Sequence, residues 1–129
     1  MTSELRDRYL RDRVLTASPV QRVVMLYDRL SLDLARAADS EAVEPVDHAV
    51  QIVAELLASL DQSAGGPAEN LAALYGYLIR ELLAVRGGGR DRLAGAARIV
   101  ETLREAWTAV AAQGGVAPAT PAAAGAWVG

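Results

Sequence analysis

Few residues in this 129-residue chain could do covalent chemistry, and their spacing argues against each in turn. There is one histidine, His48, and no cysteine. Thiolate metal sites and disulfides are therefore excluded, and a reducing compartment is permitted. By helical steps His48 lies off the apolar stripe of its segment, near Ile52 and Ser59, where a surface histidine is the expected role. A ligand or base would need a second histidine or a facing Glu-x-x-His pair, and the chain has neither. Ser18 precedes Pro19 at a helix start, so a capping role accounts for it without a nucleophile's environment. Asp28 and Asp33, like Glu101 and Glu105, stand at helical spacing near arginines and read as solvated faces. The glycine run GGGRD (87–91) lacks the GK[ST] ending of a phosphate loop and follows a helix, not a strand. GGPAEN (65–70) is likewise a helix connection. With no nucleophile–base pair, the expectation is a protein that is not an enzyme and holds no metal or cofactor.

The elements that carry these residues are helical. Ser18, Pro19 and Gln21 form an N-terminal capping box, and Val20, Val23, Val24, Tyr27, Leu30 and Leu34 follow at helical spacing. That helix fades near Ala38. Pro45 opens a second, with Val46, Ala49, Val50, Val53, Leu56, Leu57 and Leu60 on one stripe, closed by DQSAGG (61–66). Pro67 opens a third, carrying Leu71, Leu74, Tyr75, Leu78, Leu82 and Val85, which the glycines at 87–89 stop. Leu93, Ala96, Ala97, Val100, Leu103, Trp107 and Val110 mark the fourth. Four amphipathic helices of about 16–23 residues with short connections predict an all-α, antiparallel four-helix bundle over residues 18–112. Residues 1–17 are charged, with sparse apolar positions, and fit an arm or a short helix. The uncharged Gly/Ala/Pro-rich segment 113–129 reads as a disordered tail, in which Trp127 is either incidental or weakly docked on the bundle.

The bulk numbers agree. Aromatics are 5% of residues and Phe is absent, so the interior must be built from Leu, Val, Ile and Ala. A net charge of −3 gives no pull toward nucleic acid, and all the basic residues are arginine, a compositional bias. The first residues, MTSELRDRYLRDR, contain no apolar signal core, and no run approaches the roughly 20 residues of a membrane span. The expected compartment is the cytoplasm, without membrane insertion.

Some apolar residues fall outside the main stripes. Met25 and Leu32 share a face roughly opposite the centre of the first helix's stripe, beside Arg22, Arg29 and Arg36. On the third helix a second row runs Ala72, Gly76, Ile79, Leu83, and Ile52 and Ile99 lie at stripe edges. Two readings fit. These residues widen ordinary stripes or are scattered surface hydrophobes, or they line an apolar groove that receives a helix from another protein. Gly76 favours the second, since a mid-helix glycine costs about 1 kcal/mol relative to alanine unless something approaches closely.

The order of motifs resembles one family. TASP, then an apolar run into LYD (23–28), AVQIVAELLASLDQSAGG (49–66), NLAALYGYLIRELL (70–83) and a segment ending LREAWTAV are similar to the successive helices of the flagellin-specific export chaperones, the FliS family. The likeness spans about residues 9–111, and its motif positions include Ser18, Pro19, Leu26, Tyr27, Asp28, Asn70, Leu71, Tyr75 and Tyr77. Arg29 stands where a glycine commonly follows LYD, and Gly76 where a polar residue often separates the two tyrosines. The resemblance implies a cytoplasmic chaperone with a helical-bundle fold. It would bind the disordered C-terminal region of flagellin, prevent premature polymerisation and deliver it to a component of the flagellar type III export gate. It assigns Tyr9 and Leu10 to an N-terminal cover over the client groove. The alternative is a self-associating structural bundle without a flagellin client.

Overall fold

The structure, a computed structural model, describes residues 4–5, 18–60 and 66–114. Tyr9 and Leu10, most of the expected arm, and the expected tail from residue 115 lie outside the described residues. Four helices follow in order: α1 Pro19–Asp39, α2 Glu44–Ala58, α3 Pro67–Arg86 and α4 Leu93–Ala112, with a 3-10 turn at Arg90–Arg92 before the last. No strand occurs among the described residues.

Local chemistry sets the helix ends. The Ser18 hydroxyl accepts from the Gln21 backbone N–H at 3.2 Å, and the Gln21 side chain accepts from the Ser18 N–H at 3.0 Å. Two of the donors that a helix start leaves unsatisfied are thus met reciprocally. At the far end of α3 the glycine run does two jobs. Gly88 takes φ +112, which a side chain rarely adopts, and a Cβ on Gly89 would stand 3.0 Å from the Ala84 carbonyl oxygen. The chain reverses there within a few residues. Arg90 then reaches back, and its guanidinium donates to the carbonyls of Ala37 and Ser40 at the C-terminal end of α1. A cation on the last carbonyls of a helix satisfies orphan acceptors and complements the helix dipole.

Cross-helix pairs fix the directions. Asp28 pairs with Arg104 at 2.7 Å, while three residues on in α1 and three back in α4 Ser31 donates to Glu101 at 3.3 Å. That opposite progression makes α1 and α4 antiparallel. Asp47, at the start of α2, pairs with Arg86, at the end of α3, so those two are antiparallel as well. The helices therefore form an antiparallel four-helix bundle. In it α1 packs closely on α4 and α2, α2 packs on α3, and of the neighbouring pairs α3 and α4 touch least.

The core is aliphatic, as the absence of Phe requires: Leu30, Val53, Leu56, Leu78 and Leu82 are fully buried, with Val46, Val85 and Val100 nearly so. Tyr27 and Tyr75 are also 0% exposed. Their hydroxyls meet at 2.6 Å, joining α1 to α3 through the middle of the bundle. The Trp107 indole N–H, from α4, also bonds to the Tyr27 oxygen. Burial is what makes this arrangement necessary, because a buried hydroxyl without a partner costs free energy. Burial also pushes the Tyr27 phenol up from 10.0 to about 12, against the hydrogen bonds from Tyr75 and Trp107 that pull it down. Tyr75 moves further in the same direction, by burial first and then by the neighbouring Tyr27.

One expectation fails here. Asp33 is not on a solvated face: it is 2% exposed. Nor is His48 a bystander, because its Nδ1 bonds the Asp33 carboxylate across the α1–α2 seam, with Arg29 3.7 Å away on the same carboxylate. The His48 side chain stays 42% exposed, so water reaches one side of the pair while Asp33 is sealed.

These buried groups set the stability of the bundle. Tyr27→Phe removes the shared oxygen and both bonds to it and is expected to cost about 2–3 kcal/mol, against about 1 kcal/mol for Tyr75→Phe, in urea unfolding. The phenols ionise in the unfolded chain near 10.0, but Tyr27 only near about 12 in the fold. The unfolded state thus holds fewer protons through that window, so stability is full below it and falls as pH rises through it, by roughly 2–3 kcal/mol for Tyr27 alone. Tyrosinate absorbance should then rise together with loss of helical circular dichroism. Removing the imidazole by His48→Ala leaves the buried Asp33 carboxylate short of its principal partner and should cost about 1.5–3 kcal/mol. An unchanged urea midpoint would show that Arg29 alone suffices.

Candidate functional site

The α2–α3 seam has a readable register. Asp47 meets Arg86 at one end. Because the helices run oppositely, one step forward on α2 corresponds to one step back on α3. This sets Val50 level with Leu83, Ala54 with Ile79, and Leu57 with Gly76. The outer side of this seam is an apolar strip. Leu83 is 50% exposed, Ala54 is exposed, and Val50, Leu57, Ala72, Gly76 and Ile79 are half-buried. Ile79 and Ala72 rest against the core with one side and face outward with the other. A Cβ added at Gly76 would meet only the Arg80 guanidinium, at 3.5 Å. No helix of the bundle therefore requires the glycine. What it provides is a shallow place on the outer face where a second backbone could come close.

The other flank of α3 is polar. Tyr77 is 43% exposed and its hydroxyl donates to Glu81 at 3.0 Å. Arg92 donates to the other Glu81 oxygen at 2.7 Å. These bonds, Arg92 first and Tyr77 second, hold the Glu81 carboxyl below the usual carboxylate range. The charged cluster marks where the apolar strip ends and ties the 3-10 turn to α3.

The residues expected to line one groove are divided among several surfaces. Ala72, Gly76, Ile79 and Leu83 do share one row. Met25 is half-buried in a separate cleft of about 490 Å³ between α1 and α2, with Pro19, Leu26 and Glu55 among its walls. Leu32 is 43% exposed on the outer face of α1. Ile99 is half-buried against the core on the flank of α4 that carries Leu103 and Val110. Ile52 is a correction: at 4% exposure it is a core residue and lines no surface groove. Its place at the stripe edge turns inward because α1 closes over that side of α2. The motif tyrosines separate in the same way, with Tyr75 central and Tyr77 outward.

Two clefts were missed by periodicity. One, of about 490 Å³, lies between α1 and α4, and four alanines, Ala35, Ala38, Ala94 and Ala97, form part of its wall. The other, of about 340 Å³, lies between α3 and α4, where Asn70 and Leu71 face Leu103, Trp107 and Val110. Runs of alanine gave a weak signal for the first. Nothing in a single helix's pattern signals the second, since it arises from the spacing of two helices.

No group of three or more His, Asp or Glu side chains suited to a metal occurs among the described residues. No helix among them is long and apolar enough to cross a membrane. The candidate features among the described residues are the apolar row on α3 and the clefts between helices.

Comparison with known proteins points the same way. The profile of the family described as flagellar protein FliS matches residues 1–114. Over 79 residues the chain is 40% identical to the flagellar secretion chaperone FliS of Salmonella typhimurium (strain LT2), a match covering 54% of this chain and 58% of that protein. The chain thus spans less than two thirds of that relative. A family match across all four helices, on a bundle whose motif tyrosines hold its centre, leads to one conclusion: this chain belongs to the FliS family.

Proposed function

We propose that the chain is a cytoplasmic flagellar export chaperone. It binds the disordered C-terminal region of flagellin, keeps it from polymerising early, and hands it to a component of the flagellar type III export apparatus. The observation that carries this reading is the outward-facing apolar row Ala72, Gly76, Ile79, Leu83 beside α2. A flagellin end that has no polymer neighbours must bury its apolar face on something else. Coupled folding and binding typically buries about 1,000–3,000 Å² and costs about 2–5 kcal/mol in ordering, so a broad apolar strip serves better than a few ion pairs. The row presents its side chains at the i, i+3, i+4 spacing that an amphipathic client helix can match. Met25, Leu32 and Ile99 extend the contact for a client that wraps past one seam. Tyr9 and Leu10 cover the row when no client is present. Release follows from competition at the export machinery and requires no nucleotide or cofactor.

The same strip also fits a second copy of the chain, which would make the protein a self-associating bundle. Light scattering separates the two, since a mass independent of concentration counts against self-association.

The direct test is calorimetric titration with a flagellin C-terminal peptide, using a shuffled peptide as control. Leu83 is the best probe because half of it is already in water. Burying a leucine contributes about 1.5–3 kcal/mol, so Leu83→Asp should weaken binding by roughly tenfold to a hundredfold. Helical circular dichroism and the thermal midpoint should stay unchanged. Undiminished affinity in that variant would remove the row from the client contact. The same titration on a chain lacking residues 1–15 asks whether the arm competes with the client.

A further inference from the structure

The segment after Gly114 falls outside the region matched by the family profile, which stops at residue 114. Its sequence, GVAPATPAAAGAWVG, has no charged residue in a chain that is 22% charged, and it carries one large aromatic, Trp127. The clefts of the bundle differ in one decisive respect. The α1–α4 cleft includes Arg90 and Glu101, the α1–α2 cleft Arg22 and Glu55, and a fourth near the end of α3 includes Glu41, Arg86 and Arg90. Among the described residues the α3–α4 cleft has no charged lining: its walls are Pro67, Leu71, Leu103, Ala106, Trp107 and Val110, with the neutral Asn70 at the edge.

That cleft is also the one beside the root of the segment. Val110 is four residues before Gly114 and Leu103 is eleven before it. Along a helix the farther of these is about 16 Å away. Trp127 is 13 residues beyond Gly114. A Gly/Ala/Pro-containing connection of that length spans roughly 20 Å as a random coil, enough for the indole to reach the cleft. A volume of about 340 Å³ is large enough for an indole and a small neighbour. Filling it would remove apolar lining from water in the seam where neighbouring helices of the bundle touch least.

We propose that the α3–α4 cleft is the seat of the chain's own Trp127, brought back by the segment that follows α4. The indole closes the gap between the two helices against Leu71, Leu103 and Val110. The α2–α3 row, on the opposite flank of α3, stays free of it.

Methyl nuclear magnetic resonance of the full chain tests this. Nuclear Overhauser contacts are expected between the Trp127 indole protons and the methyls of Leu71, Leu103 and Val110. Trp127→Ala should shift those methyl resonances while leaving Leu83 and Ile79 in place, and Trp127→Phe should restore part of the difference. The positions should not change on dilution. If Trp127→Ala leaves the three methyls unmoved, the cleft has no such occupant and the proposal fails. It fails equally if the contacts vanish on dilution, which would place the Trp127 of a second copy in the cleft.

Discussion

The bundle depends on a polar contact at its centre. Tyr27 and Tyr75 are wholly buried, and their hydroxyls bond to each other, with the Trp107 indole on the Tyr27 oxygen as well. An aliphatic core tolerates many packings of similar energy, because leucine and valine are nondirectional. Hydroxyls are directional and expensive to leave without partners, so only a register that brings α1, α3 and α4 together at this depth is acceptable. In a chain without Phe these two tyrosines and Trp107 are also the largest buried side chains at the centre. Volume and polarity therefore specify the same arrangement.

With the middle fixed in this way, the rims are left open. The aliphatic residues of each helix's inner stripe are used up in the core, and what remains outside differs from seam to seam. Between α1 and α4 the small side chains of Ala35, Ala38, Ala94 and Ala97 help to leave a cleft. The α2–α3 seam is tied at one end by Asp47 and Arg86 and stays apolar along its outer side. The core residues and the row on α3 belong to different faces of the same helix, so the row faces outward without a hole opening in the interior.

The sequence made the helices easy to read and their contacts hard to read. Ser18, Pro19 and Gln21 announced α1, and the glycines at 87–89 announced the end of α3, because capping and turn chemistry are local. Tyr27 and Tyr75 were both expected on core stripes, yet their meeting depends on a diagonal register that no single helix encodes. Asp33 shows where the polar-outside rule fails. It lies three residues after Leu30 and four before Ala37, both fully buried, so its spacing is that of a core residue. Reading polarity ahead of spacing set it outside, and only the position of His48 on the next helix reveals its partner. Arg90 was part of a glycine turn in sequence and is a helix cap in space, for the same reason.

The apolar surface was legible in part. The row on α3 could be found because its four members share one helix, and periodicity within a helix is what sequence expresses best. Ile52 was misplaced because an edge position becomes core or surface according to which neighbour closes over it. Gly76 is informative for a different reason. Its helical cost of about 1 kcal/mol relative to alanine is not offset by any close contact inside the bundle, since a Cβ there would meet only a flexible guanidinium. Stability alone would favour alanine at that position. Under the proposed function, a cost carried on the outer face, midway along an apolar row, is what a second backbone lying against α3 would require.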